Sequence, residues 1–188
     1  MYKIATHDSA TGEKGKGLLS WLGTPFSKTQ TKTIREQYDA GCRMFDIRVK
    51  LVDGVWKCAH GIWITERDAE DIISEINGMK QRCYVSLTYE GGKKYKEEFI
   101  EFTNRITEKY YFIKWGGIAI KYGEGSHILK VKYEYLKYAS DWPETKQGFL
   151  PLDGKTLHIL LPIPWLWKKI YNDNPVFSKK YYTYVDFL

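Results

Sequence analysis

The chain has 188 residues and a mass of 22.1 kDa, the length of one ordinary domain rather than two. Hydrophobic residues make up 43% of it and charged residues 28%, which excludes a disordered tail protein, and no apolar run approaches the ~20 residues that cross a bilayer. Twenty-nine Lys and Arg against 23 Asp and Glu leave a charge of +6, which favours an anionic partner: a phospholipid surface, nucleic acid or a phosphorylated substrate.

Strand and helix signals alternate along the chain. Tyr2 to Thr6 reads as a first strand ending in the polar turn His7-Asp8-Ser9. A Gly/Lys loop, Gly12 to Gly17, leads to a helical turn over Leu18 to Leu22 with an exposed apolar side. Lys28 to Ala40 reads as a helix stopped by Gly41, and Arg43 to Lys50 as the second strand. Val55 to Ala59 is a third strand, after which Thr65 is expected to cap a helix running to about Lys80, with Asp68 at the capping-box spacing. Cys83 to Tyr89 is a fourth strand, and Lys93 to Tyr110 a helix built on Phe99, Ile100, Phe102 and Ile106. Ile118 to Tyr122, Ile128 to Leu136 and Leu157 to Leu161 are further strands. A helix-like stretch around Trp165 to Tyr171 precedes a last strand, Tyr181 to Leu188.

Eight strands with intervening helices predict an α/β fold, a small and irregular (β/α)8 TIM-type barrel, although ~250 residues is usual for it, so several helices must be reduced. Neither repeats nor linkers divide the sequence, so residues 1–188 are expected to form a single catalytic barrel domain. No export signal opens it, which places it in the cytoplasm unless a leader was removed. The cysteines Cys42, Cys58 and Cys83 cannot all pair within one chain and match no zinc spacing, so they read as free, buried thiols. No nucleic-acid motif is visible, and a monomer without nucleic acid is expected.

Titratable residues gather where strands end. His7 and Asp8 follow the first, Asp46 and Arg48 lie in the second, His60 ends the third, Glu90 follows the fourth and Asp186 lies in the last. In a barrel such residues meet at one mouth. Asp46 and Arg48, two apart on a strand, point the same way. Two imidazoles and a guanidinium facing one opening suit phosphodiester cleavage: one ring takes a proton, the other gives one, and the guanidinium holds the phosphate. His127 and His158 have no motif partners and read as structural or solvated.

Three signatures in this order, Ala5-Thr6-His7-Asp8-Ser9, Gly41-Cys42-Arg43-Met44-Phe45-Asp46-Ile47-Arg48 and Ala59-His60-Gly61, resemble bacterial phosphatidylinositol-specific phospholipase C. The likeness continues through Val85 to Glu90 and Gly117 to Tyr122 and ends at Tyr184-Val185-Asp186-Phe187. It implies a metal- and cofactor-independent cleavage to diacylglycerol and a cyclic inositol phosphate. In it His7 is the base, His60 the acid, and Arg48 the group that stabilises the phosphate. Asp186 would orient His7, Asp8 would orient His60, and Asp46 would support both. Glu90, Lys121 and Tyr135 would bind substrate. Leu18, Trp21, Leu22, Trp165 and Trp167 would touch an anionic phospholipid surface. Thr88 and Tyr133 stand where the family carries a lysine and an aspartate, which opens the headgroup to question. A related phosphodiesterase on another headgroup and a non-catalytic module binding anionic lipid are the alternatives.

Overall fold

The computed structural model describes residues 1–123, 131–147 and 177–188. The strand expected at Leu157 to Leu161, the helix around Trp165, the contact residues Trp165 and Trp167, His127 and His158 lie outside the described residues. The strands are β1 (Ile4–Thr6), β2 (Cys42–Val52), β3 (Val55–His60), β4 (Trp63–Asp68), β5 (Tyr84–Tyr89), β6 (Lys114–Gly123), β7 (Val131–Lys137), β8 (Thr145–Gln147) and β9 (Tyr182–Val185). The helices are α1 (Gly17–Ser27), α2 (Ile34–Asp39), α3 (Ala69–Asn77) and α4 (Lys96–Lys109).

These strands join in one curled sheet, a half-barrel ordered β7-β6-β5-β2-β1-β9-β8. From β6 to β8 all neighbours run parallel, whereas β7 is antiparallel to β6, and β3 and β4 fold back antiparallel beside β2. The expected eight-strand α/β barrel is thus met in part, as a mixed α/β half-barrel. Among the described residues the sheet traces part of a barrel, with four α-helices and two antiparallel additions.

Two local expectations change for identifiable reasons. Thr65 does not cap a helix but lies in β4, fully buried, with its hydroxyl donating to Arg67 O at 2.7 Å and accepting from Cys58 N at 3.1 Å. The β-branched pair Ile64-Thr65 suits that hairpin strand, and α3 begins only after Asp68. The expected helix from Lys28 shrinks to α2 because Thr33 is its N-cap. Glu36 N donates to Thr33 Oγ1 at 3.3 Å, and Thr33 N donates to Glu36 Oε2 at 2.8 Å. The helix ends before Gly41, whose φ of 102° a side chain would disfavour.

Alternation along β2 sorts its side chains. Phe45, Ile47 and Val49 face the outer core with Ile72, Ile73, Ile76, Phe99 and Ile106 of α3 and α4. Trp56 completes that layer, stacked on Phe102 with ring centroids 4.9 Å apart. The opposite face of β2 rises in tiers. Met44 lies at the bottom with Ala5 and Tyr182, against Tyr84, Trp142 and Tyr184. Above it Asp46 pairs in register with Ser86, and above that Arg48 with Thr88. An apolar floor therefore excludes water from beneath the charged tier.

Candidate active site

The register of the parallel strands brings the charged residues together. Thr6 pairs with Val185, which sets His7 beside Asp186 one residue further on. His7 Nδ1 donates to Asp186 Oδ1 at 3.1 Å. Arg48 is the hub. Its Nε donates to Asp46 Oδ2 at 3.0 Å and meets Asp8 Oδ1, Nη1 donates to Glu90 Oε1 at 2.9 Å, and Nη2 lies 2.6 Å from His7 Nε2. His60 Nδ1 donates to the Ser27 carbonyl at 2.7 Å and lies 3.2 Å from Asp8 Oδ2. The six residues expected to do chemistry, His7, Asp8, Asp46, Arg48, His60 and Asp186, thus form one connected cluster.

Asp8 sits in the left-handed region at φ 44°, which aspartate tolerates better than most residues. Its carboxylate is buried without an aligned hydrogen bond, and its backbone N–H donates to Asp46 Oδ2 at 3.2 Å. Burial favours its protonation, but Arg48, His60 and His7 outweigh that and hold it below the usual carboxylate range. Glu90 accepts from Arg48, from Lys121 at 2.9 Å and from Gly61 N at 3.1 Å. Burial favours its protonation, but Arg48, His60 and Lys121 outweigh that and keep it well below that range. Gly61 adopts φ 61° at the β3–β4 turn, which aims its N–H at Glu90.

His7 is pulled in two directions. Burial lowers its pKa, but the carboxylates of Asp8 and Asp186 outweigh both that and Arg48, raising it to about 9. The contact with Arg48 is nevertheless a hydrogen bond only when Nε2 carries a lone pair, because a guanidinium has none. That contact belongs to the neutral Nδ1–H tautomer, the form favoured above about pH 9, and protonation of the ring below that must displace Arg48. An oxyanion that draws Arg48 away would therefore uncover Nε2, the atom a base needs.

The expected substrate residues divide. Lys121 is tied to Glu90, and Glu90 is filled by its own neighbours rather than open. Tyr135 is exposed on the edge strand, near Tyr133, whose phenol is pushed up by burial while Arg48 and Lys121 oppose the shift. Cys58 is buried, and desolvation pushes its thiol far above the usual range, which removes it as a nucleophile.

Two donor sets, His7–Asp8–Asp46 and Asp8–His60–Glu90, have ligand atoms within 4.8 Å of one another. Arg48 touches four of these five residues and supplies the positive charge that a cation would otherwise bring.

Several positioning groups escaped the sequence reading. Gln30 Nε2 donates to His7 O at 3.0 Å and to Val185 O at 2.9 Å, clamping β1 to β9 under the His7–Asp186 pair. Thr29 Oγ1 donates to His7 O at 3.2 Å, and Ser9 Oγ accepts from Asp46 N at 2.9 Å. The polar run Thr29-Gln30-Thr31 inside an expected helix was the available signal.

No family model matches the sequence, and neither does any curated protein. Solved structures do resemble it. Two variants of phosphatidylinositol-specific phospholipase C from Staphylococcus aureus superpose with TM-scores of 0.56 and 0.55 at 15% and 13% identity. The comparison covers 98% of this chain and 84% and 85% of theirs. Phosphatidylinositol-specific phospholipase C from Listeria monocytogenes gives a TM-score of 0.48 at 17% identity over 78% of this chain, which spans only 60% of that protein. At these identities the likeness is one of fold.

Proposed function

We propose that this protein is a phosphodiesterase of the phosphatidylinositol-specific phospholipase C type, working by acid–base catalysis around a fixed guanidinium. The observation that carries the reading is Arg48, in contact with His7 on one side and with the carboxylate of Asp8, which His60 approaches, on the other. A diester phosphate drawn to Arg48 releases His7 Nε2. His7 then takes the proton of the inositol 2-hydroxyl, whose oxygen attacks phosphorus. Arg48 stabilises the charge growing on a non-bridging oxygen, a contribution worth roughly 3 kcal/mol where a single such donor has been removed in other enzymes. The diacylglycerol oxygen leaves with a proton from His60, and the products are diacylglycerol and a cyclic inositol phosphate. No metal takes part, since Arg48 supplies the charge one would bring.

The apolar side of α1 is the proposed lipid contact. Leu18, Leu19 and Trp21 are each about 70% exposed, with Leu22 and Phe26 beside them, and Lys14, Lys16 and Lys28 flank the helix. Among the described residues no helix is long and apolar enough to cross a membrane.

The test is phosphorus NMR of phosphatidylinositol vesicles incubated with the protein in EDTA. A cyclic inositol phosphate resonance is expected, reduced at least ~100-fold in rate by His7→Ala or by His60→Ala. Full turnover by either variant would refute the assignment of base and acid. A second reading, the same chemistry on a different headgroup, is favoured by Thr88 and Tyr133 at positions where the family it resembles carries charge.

A further inference from the structure

Beside the catalytic cluster, a cavity of about 340 Å³ opens between the ends of β2, β5 and β6, lined by Lys50, His60, Glu90, Lys121 and Tyr122 among others. The register explains its make-up. Val49 pairs with Tyr89 and Tyr89 with Ile120, so Lys50, Glu90 and Lys121, each one residue further on, form a row across three neighbouring strands. The contacts run along this row. The Lys50 ammonium donates to the Gly61 carbonyl, Gly61 N donates to Glu90 Oε2 at 3.1 Å, and Glu90 Oε1 accepts from Lys121 at 2.9 Å.

The charges of the row do not balance. Glu90 already serves Arg48 and Lys121, and among the described residues Lys50 makes no ion pair, its one hydrogen bond being to a neutral carbonyl. Burial lowers the Lys50 pKa; Glu90 opposes the shift, and Lys121 adds repulsion to it. The catalytic cluster next to it has the opposite balance, with the carboxylates of Asp8 and Asp46 on the single guanidinium and that of Asp186 on His7. A ligand with two anionic groups therefore meets a cation at two separate places, the Arg48 guanidinium and the Lys50–Lys121 row, and only the row carries cationic excess.

We propose that Lys50 and Lys121 form a second anion subsite, which takes a phosphate monoester carried on the substrate's headgroup while Arg48 takes the diester. This rests on the phosphodiesterase reading and narrows its substrate to a phosphorylated cyclitol or similar polyol. It gives Lys121 a partner besides Glu90 and gives Lys50 a charged one. It also suits a site in which Tyr133 replaces the acidic group that a neutral hydroxyl-rich ring would use.

Calorimetric titration tests this without turnover, using D-myo-inositol 1-phosphate, D-myo-inositol 1,4-bisphosphate and inorganic phosphate as probes. The bisphosphate is expected to bind about tenfold more tightly than the monophosphate, the effect of one added charge-assisted contact. Lys50→Met is expected to bring that ratio close to one, and Lys50→Arg, which keeps the charge, to restore most of it. An equal affinity for the two inositol phosphates in the wild type would overturn the proposal, as would a ratio unchanged in Lys50→Met. Lys50-dependent binding of inorganic phosphate with no advantage for the bisphosphate would also overturn it, by showing a site for free phosphate rather than for a headgroup. The ratio is read apart from catalysis, so its failure is distinguishable from a failure of the phosphodiesterase reading, which the vesicle assay reports.

Discussion

His7 shows how one side chain can be held between opposing demands. Its ordinary pKa of 6.5 rises to about 9 against burial and Arg48, because Asp8 and Asp186 favour the charged ring. The stabilisation of the fold that this provides is complete below pH 6.5 and is lost as pH rises through about 9. As a base the ring works only when neutral, so kcat/KM is expected to climb toward that value. Asp186→Asn removes one of the two carboxylates. Its His7 ring-proton resonances are expected to titrate at least ~1 unit lower than in the wild type, and the rising limb of kcat/KM to move with them. An NMR midpoint unmoved by the substitution would show that Asp186 does not hold the ring.

At the scale of elements, α1 and the α3–α4 contact make separate predictions. Leu18→Ser with Trp21→Ala removes two large side chains from the exposed side of α1. Partitioning onto anionic vesicles, followed by sedimentation, is expected to fall about tenfold or more, and turnover on vesicles to fall further than turnover of a monomeric short-chain substrate. Equal losses on both substrates would rule out a lipid contact there. Glu70 of α3 accepts from Lys109 at 2.8 Å and Tyr110 at 3.1 Å and pairs with Arg105 of α4. Burial opposes ionisation, but these partners lower its pKa to about 2. Glu70→Gln is expected to cost about 1–2 kcal/mol in urea unfolding above pH ~5, with the gap closing as pH falls toward 2. These helices were readable because Ile72, Ile73 and Ile76, and Phe99, Phe102 and Ile106, repeat with helical spacing and are all buried. The hairpin strand β4 was not, because Thr65 and Asp68 satisfy a local capping pattern that antiparallel pairing with β3 overrides. The cluster around Arg48 was readable from strand-end polarity and from three motifs in the order His7-Asp8, Asp46-Ile47-Arg48 and His60-Gly61. The Gln30 clamp was not, since its partners lie 23 and 155 residues away.

For the whole molecule, the net charge of +6 would make the proposed association with an anionic surface partly electrostatic. Vesicle partitioning is expected to weaken steadily between about 0.05 and 0.5 M salt, where the screening length shrinks from roughly 14 to 4 Å. A salt-independent affinity would assign the binding to the apolar side chains of α1 alone. The half-barrel also brings its reactive centre together from remote parts of the chain: His7 and Asp186 meet across 179 residues, and Arg48 and Glu90 across 42. Closing so long a loop is an entropic cost met only when the sheet is complete. On refolding from denaturant, helix signals are therefore expected to return first and catalytic competence last, once β9 has docked beside β1. A half-formed chain would carry every residue of the proposed chemistry and still have no site in which to perform it.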